Sequence, residues 1–93
     1  MKANFRNGGG PGHTRALFNL GVSYNRGRGV PQDNVAAYMW LSLAADPRMG
    51  EPAGAFRDAV IQALDTVSAM LTPYRRAEGQ RLALEWDAAH PPD

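Results

Sequence analysis

Apolar side chains recur along most of this chain at intervals of three and four residues, the spacing that places them on one face of an α-helix. The first such stripe begins after His13 and continues to Tyr24. A glycine-rich turn follows at residues 26–29, and glycine favours the left-handed conformation that closes a helix. The pattern therefore predicts a first helix that starts at His13 and ends at this turn.

Three further helices are predicted by the same reasoning. The second starts near Pro31 and Asp33, since proline suits a first helical turn and an aspartate there complements the helix dipole or caps free amides. Its apolar residues surround it nearly completely through residues 35–45, which indicates a helix buried on several sides. Residues 55–71 carry the most regular apolar stripe, and a Thr-Pro pair at 72–73 starts a fourth helix that ends before the last two prolines.

No segment alternates apolar and polar residues with a period of two, so the predicted fold class is all-α, with four helices in two antiparallel pairs. Glycine and proline divide the chain further. The expected parts are a flexible Gly-rich lead at 1–12, a first helix pair at 13–46, a Pro/Gly loop at 47–54 and a second pair at 55–89 that caps the first.

Composition narrows the class of protein. The chain has 93 residues, which is the size of one small domain, and its 44% hydrophobic content is that of a folded protein. It contains no cysteine, which excludes a disulfide framework, thiolate metal sites and cysteine nucleophiles. No apolar run reaches the ~20 residues of a membrane span, and the first residues lack the apolar core of a signal peptide. We expect a cytoplasmic location if the chain is complete.

The net charge of +1 combines two parts of opposite sign. Residues 1–31 carry five cations and no acid, whereas residues 32–93 carry five arginines and nine acids. This polarity favours an acidic partner or head-to-tail attraction between copies. The five cations are dispersed and no aromatic pattern accompanies them, so nucleic acid is not the favoured partner.

Candidate catalytic and metal-binding residues do not form a recognised motif. The glycine run at 8–12 lacks the Gly-Lys-Ser/Thr of a phosphate loop, and neither His13 nor His90 has a ligand-type partner one helical turn away. Two carboxylate pairs are spaced by seven residues, about 10.5 Å along a helix, which is wider than glycosidase pairs need. We therefore predict no catalytic residue, no cofactor and no metal site. The carboxylates and the arginines expected to pair with them are Asp58, Asp65, Glu78, Glu85, Arg57, Arg75, Arg76 and Arg81.

The first helix pair carries a motif with many positions in register. Its small and large apolar residues alternate with glycines at fixed spacing: Gly12, Ala16, Leu20, Gly21, Tyr24, Gly27, Gly29, Val30, Gln32, Asp33, Ala37, Trp40, Ala44 and Ala45. This pattern strongly resembles the Sel1-like repeat of bacterial proteins, a relative of the tetratricopeptide repeat. Residues 72–86 also resemble the helix that closes many such proteins, although Gly79 stands where alanine is common.

The resemblance implies a fragment of a tetratricopeptide-like superhelix that acts as a protein-binding adaptor or scaffold without catalysis, and a regulatory role is compatible with it. By analogy, the partner-binding face lies on the first helix. Its expected members are Arg15, Phe18, Val22, Asn25 and Arg26. The alternative for Phe18 and Val22 is packing against a neighbouring helix of the same array.

Other functions stay open at this point. Helical repeats usually need about three units to bury a continuous core, so either the third helix and Trp86 cover the open edge or a second copy does. A homo-oligomeric structural protein is therefore one alternative function. A nucleic-acid-binding protein that uses the basic N-terminal third is the other.

Overall fold

The computed structural model describes residues 11–46 and 54–89, which form four α-helices and no strand. The helices are α1 (Pro11–Arg26), α2 (Asn34–Ala44), α3 (Gly54–Ala69) and α4 (Pro73–Ala89). The all-α fold class is thereby confirmed. The predicted Gly-rich lead and Pro/Gly loop lie outside the described residues, except for Pro11, Gly12 and Gly54, which belong to helices, and His90 lies outside them too.

Local chemistry sets the ends of these helices. Gly27 and Gly29 adopt positive φ angles of 67° and 80°, which ends α1 and turns the chain towards α2. Asp33 caps α2, since its Oδ1 accepts hydrogen bonds from the amides of Val35 and Ala36 at 3.0 and 3.1 Å. Thr72 caps α4 in the same way, through a 3.1 Å bond from the amide of Arg75 to Oγ1.

Helix α2 lies at the centre and packs against the other three helices. It runs antiparallel to α1, and the two approach closely at Gly21, where a Cβ atom would lie 2.6 Å from Cγ of Leu41. The same approach recurs between α2 and α4, because a Cβ atom on Gly79 would lie 2.7 Å from Cδ2 of Tyr38. Glycine at these two positions lets three helix backbones share a small core.

The four helices form two layers. Arg15 and Phe18, in the first half of α1, contact Phe56 near the start of α3. Asn25 at the end of α1 contacts Met70 just after α3, so these two helices run parallel in one layer. Gly79 of α4 contacts the first half of α2, and Ala83 of α4 packs with Leu43 near the end of α2. These two helices therefore run parallel in the second layer. α3 is antiparallel to α2, with Val60 packed near Ala44 and Val67 near Ala37.

The core consists of two clusters that meet at Phe18. One contains Leu17, Leu43, Ala44, Val60 and Ala83, and the other contains Ala37, Tyr38, Leu41 and Val67. The half-buried Phe18 packs against both. At the C-terminal end, Trp86 packs on the first cluster and meets Trp40 edge to face, with ring centroids 5.8 Å apart. Trp86 and α3 therefore cover the edge of the core, as in the first of the two alternatives given above.

The arginines expected to pair with carboxylates behave differently from one another. Arg81 does pair with Glu85, at 2.7 Å on the exposed side of α4. Arg76 instead donates from Nη1 to the carbonyl oxygens of Ser68 and Leu71, both at 3.0 Å. Its guanidinium thus satisfies backbone acceptors at the end of α3, which is a structural role that spacing to a carboxylate does not predict.

Candidate functional site

A cavity of about 340 Å³ lies between the parallel helices α1 and α3. Its volume is at the small end of ligand pockets, which span ~300–1,000 Å³. We call this cavity with its surrounding surface the α1–α3 groove. The residues that line it are Phe18, Val22, Asn25 and Arg26 of α1, Leu41 of α2, and Ala59, Gln62, Ala63, Thr66 and Val67 of α3.

The groove has an apolar floor and a polar rim. Leu41 and Val67 are fully or almost fully buried and form its base. Ala59 and Ala63 are half-buried, and their small side chains leave open the space that larger residues on α3 would fill. Exposed polar side chains on α3, Gln62 among them, stand at the opening. An apolar base with convergent polar groups around it is the usual composition of a recognition pocket.

Aromatic packing shapes the end of the groove where α1 and α3 begin. The rings of Phe18 and Phe56 meet edge to face, with centroids 5.5 Å apart and planes at 75°. The guanidinium carbon of Arg15 lies 4.4 Å from the centroid of the Phe56 ring, within cation–π range. Arg15 therefore stands beside this aromatic pair and does not line the cavity itself.

Amide side chains occupy the opposite end. Nδ2 of Asn25 donates to Oδ1 of Asn34 at 2.9 Å, and Nε2 of Gln32 donates to the carbonyl oxygen of Asn25 at 3.0 Å. These bonds tie the last turn of α1 to the start of α2. They hold Asn25 in a defined position at the edge of the cavity.

The charges beside the groove are positive. Arg26 lines it and is exposed, and Arg15 is exposed at the other end. The acidic residues of α3, Asp58 and Asp65, are exposed but do not line the cavity. Complementary charge mainly sets the encounter rate and the specificity of a complex. Positive charge therefore stands at both ends of the groove, and the acidic side chains of α3 lie outside its lining.

Four of the five residues predicted as a partner-binding face line one wall of this groove, and the other wall was not predicted. Phe18, Val22, Asn25 and Arg26 come together along the cavity, whereas Arg15 stands beside it. Phe18 is also half-buried against α3, so it both packs on a neighbouring helix and lines the groove. Sequence reasoning missed the residues that complete the groove from the other helices: Leu41, Ala59, Gln62, Ala63, Thr66 and Val67. The available signal was the run of alanines in the α3 stripe.

A second cavity, of about 270 Å³, lies between the ends of α2 and α4. Ser42, Leu43, Gln80 and Leu84 are among its lining residues. Within the described parts of the chain, no group of three or more histidine, aspartate or glutamate residues is arranged to hold a metal ion. The same residues include no helix with the length and apolar character needed to cross a membrane.

Comparison with known proteins agrees with the helix geometry. The family model of the Sel1 repeat matches residues 14–46, which comprise nearly all of α1 and the whole of α2. No curated protein and no solved structure shows significant similarity to the chain. Sel1 repeats in general mediate interactions between proteins. The first two helices are therefore similar to a Sel1 repeat.

Proposed function

We propose that this protein is a peptide-binding adaptor without catalytic activity, and that the α1–α3 groove holds an extended segment of another protein. The observation that carries this proposal is the cavity itself, which has a buried apolar base and lies between two parallel helices of successive helix pairs. A side chain of the partner enters the cavity. Its backbone runs along the polar rim, where Asn25 and Gln62 offer amide groups.

The chemistry of the groove specifies the segment that fits. The cavity takes one apolar side chain, because its base is made by Leu41 and Val67 and its α3 wall by alanines. Arg26 and Arg15 at the two ends favour acidic residues on both sides of that anchor. We therefore expect short linear segments in which one large apolar residue is flanked by aspartate or glutamate.

A displayed library of random linear peptides, selected on the full chain, tests this proposal. Enriched peptides are then titrated by fluorescence anisotropy against two groove variants. Ala59→Leu fills the cavity and should weaken binding roughly tenfold or more, equivalent to about 1.4 kcal/mol or above. Arg26→Glu reverses a rim charge and should slow association and reduce the dependence of binding on salt.

Matched control variants make the same chemical changes away from the groove. Ala77→Leu adds the same side chain on the exposed surface of α4, and Arg57→Glu reverses an exposed charge that does not line the cavity. Both should bind the peptides as the unmodified chain does. Equal loss with groove and control variants, or selection of peptides that lack acidic residues, would overturn the proposed mode. Tighter binding of a single-stranded oligonucleotide than of any peptide would replace it with nucleic-acid recognition.

A further inference from the structure

Three helices meet at a methionine beside the α1–α3 groove. Sδ of Met70, the first residue after α3, lies 3.7 Å from Nδ2 of Asn25 at the end of α1. It lies at the same distance from Nδ2 of Asn34, the first residue of α2. Because Asn25 also donates to Asn34, the two amides and the sulfur form a closed triangle of contacts. Two hydrogen-bond donors thus converge on one thioether.

This arrangement places strong donors against a weak acceptor. A thioether sulfur accepts hydrogen bonds poorly, whereas each carboxamide supplies two N–H groups. The side chain of Met70 is also 55% exposed, so small molecules in solution reach it. Met39 is less accessible, since it is half-buried and its side chain packs on the first core cluster. Greater exposure therefore distinguishes Met70 from Met39.

We propose that Met70 is a site of oxidation by hydroperoxides, and that Asn25 and Asn34 bind the oxygen of the resulting sulfoxide. The sulfur attacks one oxygen of hydrogen peroxide, an S–O bond forms and the O–O bond breaks. Sulfur loses two electrons, and the departing oxygen takes the proton of the transferred oxygen and leaves as water. The product is methionine sulfoxide, a modification that sulfoxide reductases reverse.

The donors determine what the modification does to the protein. Oxidation usually disrupts packing, because it turns an apolar side chain into a polar one. Here the sulfoxide oxygen accepts hydrogen bonds from the N–H groups that now face the sulfur. Oxidation therefore strengthens the junction between α1, α2 and the end of α3. One or two improved hydrogen bonds in a domain of this size should raise Tm by about 2–5 °C.

Limited treatment of the full chain with hydrogen peroxide tests the proposal. Peptide mapping by mass spectrometry measures oxidation at each methionine, and calorimetry measures Tm before and after treatment. We expect Met70 to be oxidised several-fold faster than Met39, and Tm to rise in the treated protein. Methionine sulfoxide reductase should return Tm to its starting value.

Two variants separate this site from oxidation elsewhere. Met70→Leu keeps the size of the side chain but removes the reactive sulfur, so its Tm should not rise on treatment. The double variant Asn25→Ala, Asn34→Ala keeps the sulfur but removes the donors, so it should be oxidised at Met70 without a rise in Tm. Equal oxidation of Met39 and Met70, a fall in Tm of the treated protein, or an equal rise in the double variant would overturn the proposal. None of these readouts depends on peptide binding, so the proposed function is tested separately.

Discussion

At the scale of single residues, the contact between Gly79 and Tyr38 fixes how the second helix pair sits on the first. A Cβ atom at residue 79 would lie 2.7 Å from Cδ2 of Tyr38 and 3.3 Å from the carbonyl oxygen of Val35. Tyr38 is itself buried, and its hydroxyl accepts a 3.1 Å hydrogen bond from Nε2 of Gln80. The ring therefore has little freedom to move away. A glycine opposite a large aromatic residue lets α4 and α2 remain in contact.

The substitution Gly79→Ala distinguishes this steric role from helix propensity. Propensity alone predicts a gain of about 1 kcal/mol, because alanine is the better helix former. The clash with Tyr38 predicts instead a net loss of about 1–3 kcal/mol, as for other insertions into packed sites. We expect the loss, measured by urea denaturation followed by circular dichroism. In a Tyr38→Ala background the same change should be neutral or stabilising, and a gain in the unmodified background would contradict the steric explanation.

At the scale of elements, Arg76 joins α3 to α4 through the backbone of the turn between them. Its Nη1 donates to the carbonyl oxygens of Ser68 and Leu71, and the Ser68 oxygen also accepts a 3.1 Å bond from the amide of Leu71. Thr72 caps the next helix from the same turn. A few polar contacts over a short turn therefore define the angle at which α4 leaves α3.

The variant Arg76→Ala should lower the free energy of unfolding by about 1–3 kcal/mol, because it removes two charge-assisted bonds from a half-buried guanidinium. Amide exchange near the end of α3 should accelerate as the turn loosens. The adjacent Arg75 is exposed, so Arg75→Ala serves as the matched control and should change stability by under about 0.5 kcal/mol. Indistinguishable stabilities for the two variants would show that the turn does not depend on Arg76.

The ends of the helices show what the sequence could and could not predict. Some helix ends were predictable because their signals are local, as with the caps Asp33 and Thr72 and the positive φ of Gly27. Others differ from the prediction, since α1 begins at Pro11 and Pro31 lies before the first turn of α2.

The role of Arg76 was not predictable, because it depends on how the turn folds back over its own carbonyl groups. In the α3 stripe, the groove-lining Ala59 and Ala63 belong to the same apolar pattern as the buried core residues Val60 and Val67. That stripe therefore revealed the helix and not the groove.

At the scale of the whole molecule, the edge of the core is covered by the chain itself. Trp86 packs on the first cluster and against Trp40, while the exposed surface of α4 carries the pair of Arg81 and Glu85 together with Tyr74 and Leu84. Because the chain itself covers this edge, we expect the protein to sediment as a monomer, with a sedimentation coefficient that does not rise with concentration.

Removal of Trp86 tests whether that coverage maintains both stability and the monomeric state. Because Trp86 is half-buried, Trp86→Ala should lower the free energy of unfolding by about 2–3 kcal/mol, a large part of the roughly 5–15 kcal/mol typical of native proteins. Its exposed cluster should also make its sedimentation coefficient rise with concentration. Tyr74 is 79% exposed, so Tyr74→Ala removes an aromatic side chain of comparable size without uncovering the core, and should change neither property. Self-association of the unmodified chain, or similar losses of stability in the two variants, would mean that the edge needs a second copy to cover it.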